Sequence, residues 1–185
     1  MQPLLRVSGL IDRINSFVGL WIGWAILLSI IISSVNAVVR KVINASSNSF
    51  LELQWYLFGA AILIASSYTL MRNEHIRIDI ISNILPKQVR NGIELFGHLV
   101  VLMPFVTLGI YETWPWLLRS YQQGEHSSNY GGLLVWPIKF AIFMGFVFLF
   151  FQGISEIIKR IAIMRGLIPD VYGHKSSHDV EGASV

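Results

Sequence analysis

With 185 residues, 54% of them hydrophobic, 14% charged and a mean hydropathy of +0.58, the chain carries more apolar surface than one soluble domain of its size can bury. That composition describes an all-α integral membrane protein. The net charge of +3 and pI near 9.3 come from basic residues beside apolar runs instead of one patch, which argues against a nucleic-acid partner. The absence of cysteine excludes disulfides and thiolate metal sites.

In chain order, the first sixteen residues mix Arg6, Asp12 and Arg13 with Leu4, Leu5, Leu10, Ile11 and Ile14, an amphipathic segment. The first predicted span covers about 17–39 and ends at Arg40 and Lys41. Val35-Asn36-Ala37 resembles a signal-peptidase site, yet the apolar run before it exceeds the ~7 to 15 residues of a signal peptide, so the span is read as a retained anchor. The second span, 50–71, has 22 residues. A helix rising ~1.5 Å per residue crosses a ~30 Å hydrocarbon core in about 20, which sets Glu52 near one membrane face and Arg72 near the other.

A charged exit follows at once, with Arg72, Glu74, His75, Arg77 and Asp79. Ile76, Ile80 and Ile84 repeat at helical spacing with Arg77 and Asp79 off that stripe, which predicts a short interfacial helix over about 76–85, closed by Pro86. The alternation of Ile76, Ile78 and Ile80 also suits a strand, whose edge would leave backbone groups unpaired beside lipid. The third span, about 92–111, contains Pro104, which cannot donate its amide and predicts a kink near 100–104. Trp114 and Trp116 mark the interface, and 117–132 forms the longest polar connection. The fourth span, about 133–158, has Pro137 in its first turn and ends at Lys159 and Arg160. Residues 1–165 thus make one four-helix membrane domain, and 166–185 is predicted to be a disordered cytoplasmic tail.

Basic residues set the orientation. One side receives Arg6, Arg13, Arg72, Arg77, Lys87, Arg90, Lys159, Arg160, Arg165 and Lys175, and the other Arg40, Lys41 and Arg119, which places both termini in the cytoplasm. Ionisable groups inside spans cost at least ~2.5 kcal/mol each and are few. Glu52 and Lys139 either reach the headgroups, pair with each other across spans two and four, or meet a partner protein. Glu94 and His98 stand four apart and share a face suited to a local hydrogen bond. His75 and Asp79 have the same spacing, but a metal site needs three or four convergent ligands and only two are visible. Gly59, Ala60, Ser66, Ser67 and Gly145 are small residues that allow close approach of a partner helix.

Two blocks carry a family likeness. Glu52 at the start of span two, Tyr56 one turn later, and an N-x-H-I-R-I-D exit formed by Asn73, His75, Ile76, Arg77, Ile78 and Asp79 make the first. The second joins Gly131-Gly132-Leu133 and Trp136-Pro137-Ile138-Lys139 to the run from Gln152 to Lys159. Over roughly 10–165 the chain resembles the small membrane subunit, DctQ type, of tripartite ATP-independent periplasmic (TRAP) transporters.

The resemblance implies a non-enzymatic, multi-pass subunit of the bacterial inner membrane. Its partners would be a large membrane subunit, which carries substrate and sodium coupling, and a periplasmic substrate-binding protein that delivers an organic acid or related solute. It implies no cofactor, no catalytic residue and no metal. Glu52, Tyr56, His75, Arg77, Asp79, Trp136 and Lys139 are the residues expected to stabilise the fold or a partner contact. The residues themselves agree with a supporting role: there is no pair of interrupted symmetric segments of the kind that builds a midplane substrate site, and no phosphate-binding G-x-x-x-x-G-K-[ST] loop. Two other classes stay open at this point. A haem-carrying dehydrogenase anchor would need a second axial ligand to match His98, and a small stand-alone exporter would need a membrane carboxylate, for which Glu94 is the candidate.

Overall fold

The computed structural model describes residues 2–43, 47–72 and 86–169. The predicted interfacial helix at 76–85, its residues His75, Arg77 and Asp79, and the tail beyond 169 lie outside the described residues. Among the described residues the chain is helical, and four helical rods are long and apolar enough to cross a membrane.

The first rod, α1 (Gln2–Ile43), is 42 residues long. It takes in both the predicted span and the amphipathic segment before it, because nothing between Ser16 and Phe17 breaks a helix: neither Gly nor Pro stands there. α2 (Asn48–Arg72) returns alongside it. The third rod begins as α3 (Lys87–Phe96), passes through a π-helical turn at Gly97–Leu102 and continues as α4 (Met103–Gln123). Pro104 has no N–H for the carbonyl of Val100, and the wider π turn just before it is where the ladder shifts to i→i+5 pairing, as in the bond from the Met103 amide to the His98 carbonyl. A π turn thus stands where a kink was predicted.

α4 runs past the expected span end at 111 and stops at Gly124, whose φ of 59° supplies the left-handed cap that ends the ladder. The connection to the last helix shrinks accordingly to 124–135. α5 (Trp136–Met164) carries Pro137 in its first turn, where a missing N–H costs nothing, and continues a turn beyond Arg160.

α5 packs against every other rod; α1 and α2 pack on it and on each other, while the third rod packs on α5. Close approaches are made by glycines. A Cβ on Gly145 would lie 3.2 Å from the backbone of Leu63, and one on Gly109 would strike the ring of Phe146. Of the small residues expected to face a partner, Gly145, Gly59 against Ile138 and Ser67 against Asn15 are used inside the bundle instead. Two packed helices with no hydrophobic drive between them gain most from short interaxial distance, and small residues supply it.

The interior is mostly polar. α1 buries Ser8, Asn15, Ile22, Ser29 and Asn36, a strict seven-residue repeat, while Leu20, Trp21, Trp24 and Leu27 face outward. A helix of 3.6 residues per turn keeps such a repeat on one neighbour only along a left-handed seam. Lipid accepts apolar side chains as readily as a core does, so here the groups driven inward are those that need hydrogen bonds.

Candidate functional site

Two polar clusters, at opposite ends of the bundle, contain nearly all the charge that the described spans bury. At the end where α4 joins α5, Glu52 is only 4% exposed and its carboxylate accepts three hydrogen bonds from the connection. Ser127 Oγ donates to Oε1 at 2.5 Å, Asn129 Nδ2 to Oε1 at 2.7 Å, and the Leu133 N–H to Oε2 at 2.7 Å. The same helix end adds Asn48 Nδ2 donating to the Tyr130 carbonyl and Ser49 Oγ to the Gly131 carbonyl. Gly131, at φ 71°, takes the left-handed turn that lets the chain reach back to α2.

Lys139, also 4% exposed, anchors the other side of that connection. Its Nζ lies 2.5 Å from Glu125 Oε2 and 4.4 Å from the centre of the Trp116 ring. Backbone bonds then close the segment on itself, Ser127 N–H to the Leu133 carbonyl and Val135 N–H to the Glu125 carbonyl, both at 2.9 Å. Glu52 and Lys139 therefore have separate partners within the chain, each holding one part of the 124–135 segment. Tyr56 is half-buried one turn below Glu52, and Trp136 packs edge-to-face on Tyr121 with ring centres 5.5 Å apart.

The Lys139 hydrogen bond is the first cause holding the Glu125 carboxyl below its ordinary value of 4.5. A carboxyl lowered in the folded state contributes stability above its unfolded pKa and loses it as pH falls through the folded one. Amide exchange in 125–135 is accordingly expected to speed up as pH drops below 4.5, after correction for intrinsic rates, and Glu125→Gln should reduce that acid dependence. A variant with the same acid profile as the wild type counts against the anchor.

At the opposite end lies a cluster that joins α1, α2, α3 and α5. Asn15 Nδ2 donates to Gln152 Oε1 at 2.6 Å and Ser67 Oγ to Asn15 Oδ1 at 3.2 Å. Gln152 Nε2 is shared between Asp12 and Glu156 at 2.9 and 3.0 Å. Ser155 Oγ donates to Asp12 at 2.8 Å and meets the Ser8 hydroxyl at 2.7 Å. Lys159 Nζ bridges Asp12 at 3.1 Å and Glu156 at 2.5 Å. Arg160, 1% exposed, forms an ion pair with Glu94 and donates to Asn91 Oδ1 at 3.1 Å.

This second cluster was not among the predicted site residues. Lys159 and Arg160 mark the predicted end of span four, and both turn inward, because the long N-terminal part of α1 and the start of α3 present Asp12 and Glu94 to them. Glu94 and His98 do share a face, but the His98 ring bonds the Glu94 carbonyl at 2.6 Å and leaves the carboxylate to Arg160. The signal was present in the sequence: polar residues at 8, 15, 29 and 36 with seven-residue periodicity, and at 152, 155, 156 and 159 on one helical face.

No group of three or more potential metal ligands occurs among the described residues. Fold and clusters together define a polytopic membrane protein in which buried charge ties helix to helix and helix to loop. The family model of tripartite ATP-independent periplasmic transporters, DctQ component, matches residues 15–162, and the chain belongs to that family, the small membrane subunits of TRAP transporters. No match to a curated protein accompanies it.

Proposed function

We propose that the chain is the scaffolding subunit of a sodium-coupled TRAP system in the bacterial inner membrane. In this reading it holds a large membrane subunit that takes up an organic acid or related solute from a periplasmic binding protein. Both termini face the cytoplasm, and the Glu52-anchored connection faces the periplasm. The family assignment supports the transporter role, and one observation carries the scaffolding part: the membrane-embedded carboxylates Glu52 and Glu94 are engaged by Ser127, Asn129, Leu133 and Arg160 of the chain itself.

Proteoliposomes test this directly. Uptake driven by a sodium gradient is expected only when this chain, the large subunit and the binding protein are all present. Equal uptake by the large subunit and binding protein without this chain, or transport by this chain alone, would overturn the proposal. Reporter fusions at Lys87 and Gln123 check the orientation, with an inside signal expected at the first and an outside signal at the second.

A further inference from the structure

We propose that the cleft around Glu112 on α4 binds a basic side chain, a lysine or arginine, carried on a membrane helix of the large subunit. The inference rests on the chain having such a partner. The cleft has a volume of about 850 Å³ and is walled by Tyr111, Trp114, Pro115 and Phe143, with the Trp114 and Phe143 rings 5.3 Å apart. It opens on a side of the third rod that no other described helix covers, since among the described residues that rod packs on α5. Glu112 is exposed there and is the one charged residue of α4 between Met103 and Leu118.

Two acceptors belong to residues that line this cleft. One is the Glu112 carboxylate, which forms no ion pair with any described residue. The other is the carbonyl of Tyr111, which receives no α-helical N–H from Pro115 because proline has none. A carboxylate, a backbone carbonyl and aromatic faces are together the environment that a guanidinium or ammonium group prefers. The buried carboxylates of the spans have partners within the chain, Glu94 in Arg160 and Glu52 in the donors of the 124–135 connection.

The aromatic walls favour a protein side chain over a lipid headgroup, since a lysine or arginine brings an apolar stem to lie against them together with its charge. Glu112 lies four residues, or ~6 Å along the helix, below Trp116, whose ring sits over the Lys139 ammonium. A lysine or arginine on a neighbouring helix reaches that level from its own backbone and can extend its head towards water.

Co-expression with the large subunit tests the cleft. Glu112 makes no contact that holds the fold, so Glu112→Gln alone is expected to elute like the wild type in gel filtration, while its recovery in complex falls about 30-fold or more, the lower range for truncating one member of a buried interfacial ion pair. The natural chain has no cysteine, so Tyr111→Cys carries a single thiol, and a benzophenone attached there should cross-link to a large-subunit segment containing a lysine or arginine. Reversing that basic residue to glutamate should restore complex formation by Glu112→Lys. If the wild type itself forms no complex, the subunit reading fails; if Glu112→Gln complexes as well as the wild type, only the cleft proposal fails. Loss of co-purifying phosphatidylethanolamine in Glu112→Gln, with the complex intact by native mass spectrometry, would assign the cleft to lipid and overturn it as well.

Discussion

Replacing Arg160 with methionine is expected to be one of the most destabilising single changes available in this chain. The guanidinium is 1% exposed, paired with the Glu94 carboxylate and bonded to Asn91, and it ties the last turns of α5 to the start of the third rod. Methionine fills a similar length but strands a carboxylate in an interior with little water. Removing one partner of a buried pair costs about 3–5 kcal/mol, largely through the charge left behind. Arg160→Lys should help only in part, because an ammonium cannot present the forked geometry that meets Glu94 and Asn91 together. If the stranded charge is the cause, adding Glu94→Gln to Arg160→Met should recover a share of the loss, a coupling that a double-mutant cycle isolates. Thermal unfolding in detergent measures all four proteins. An Arg160→Met midpoint equal to the wild type, or strict additivity with Glu94→Gln, would show that the pair does not hold the bundle.

Glu52→Gln should be the second large effect. The carboxylate accepts from Ser127, Asn129 and the Leu133 amide, and an amide side chain in its place turns one acceptor into a donor facing donors. Hydrogen bonds to a charged group are worth about 1.5–3 kcal/mol each and do not add fully, so a loss of about 3 kcal/mol is expected, concentrated in the 124–135 segment. Hydrogen exchange of the Leu133 amide should accelerate by more than tenfold. Lys139→Met tests the partner assignment. Were Glu52 and Lys139 paired with each other, removing both charges would rescue the single changes. With Lys139 on Glu125 and Trp116 instead, no rescue is expected. A rescued double variant would mean that the two side chains meet in the membrane after all.

Glu94 and Glu52 also show why buried charge is tolerated here. Each carboxylate is surrounded by donors from a different rod or from the connection, so satisfying it requires that two parts of the chain be correctly placed. The polar groups thereby specify which helices meet and in which register, while the apolar side chains, equally content in lipid, specify little beyond insertion. The run from Gln152 to Lys159, one of the two blocks that carry the family likeness, supplies the α5 side of that specification through Gln152, Ser155, Glu156 and Lys159.

The amino-acid sequence by itself determined the class of protein, its four spans and its family, because those follow from runs of about 20 apolar residues and from two local blocks of residues. It also located the irregularity ahead of Pro104, a property of one missing N–H. Only the tertiary structure decided where the charges go. Hydropathy places Lys159 and Arg160 at a span end whether they point to headgroups or to Asp12 and Glu94, because a window along one helix contains no term for what the next helix presents. The same holds for Glu52, whose donors lie more than 70 residues away in sequence. The place of Asp12 in the bundle was likewise invisible locally: it is held by Gln152, Ser155 and Lys159 of the opposite chain end, partners that fold topology alone brings within reach.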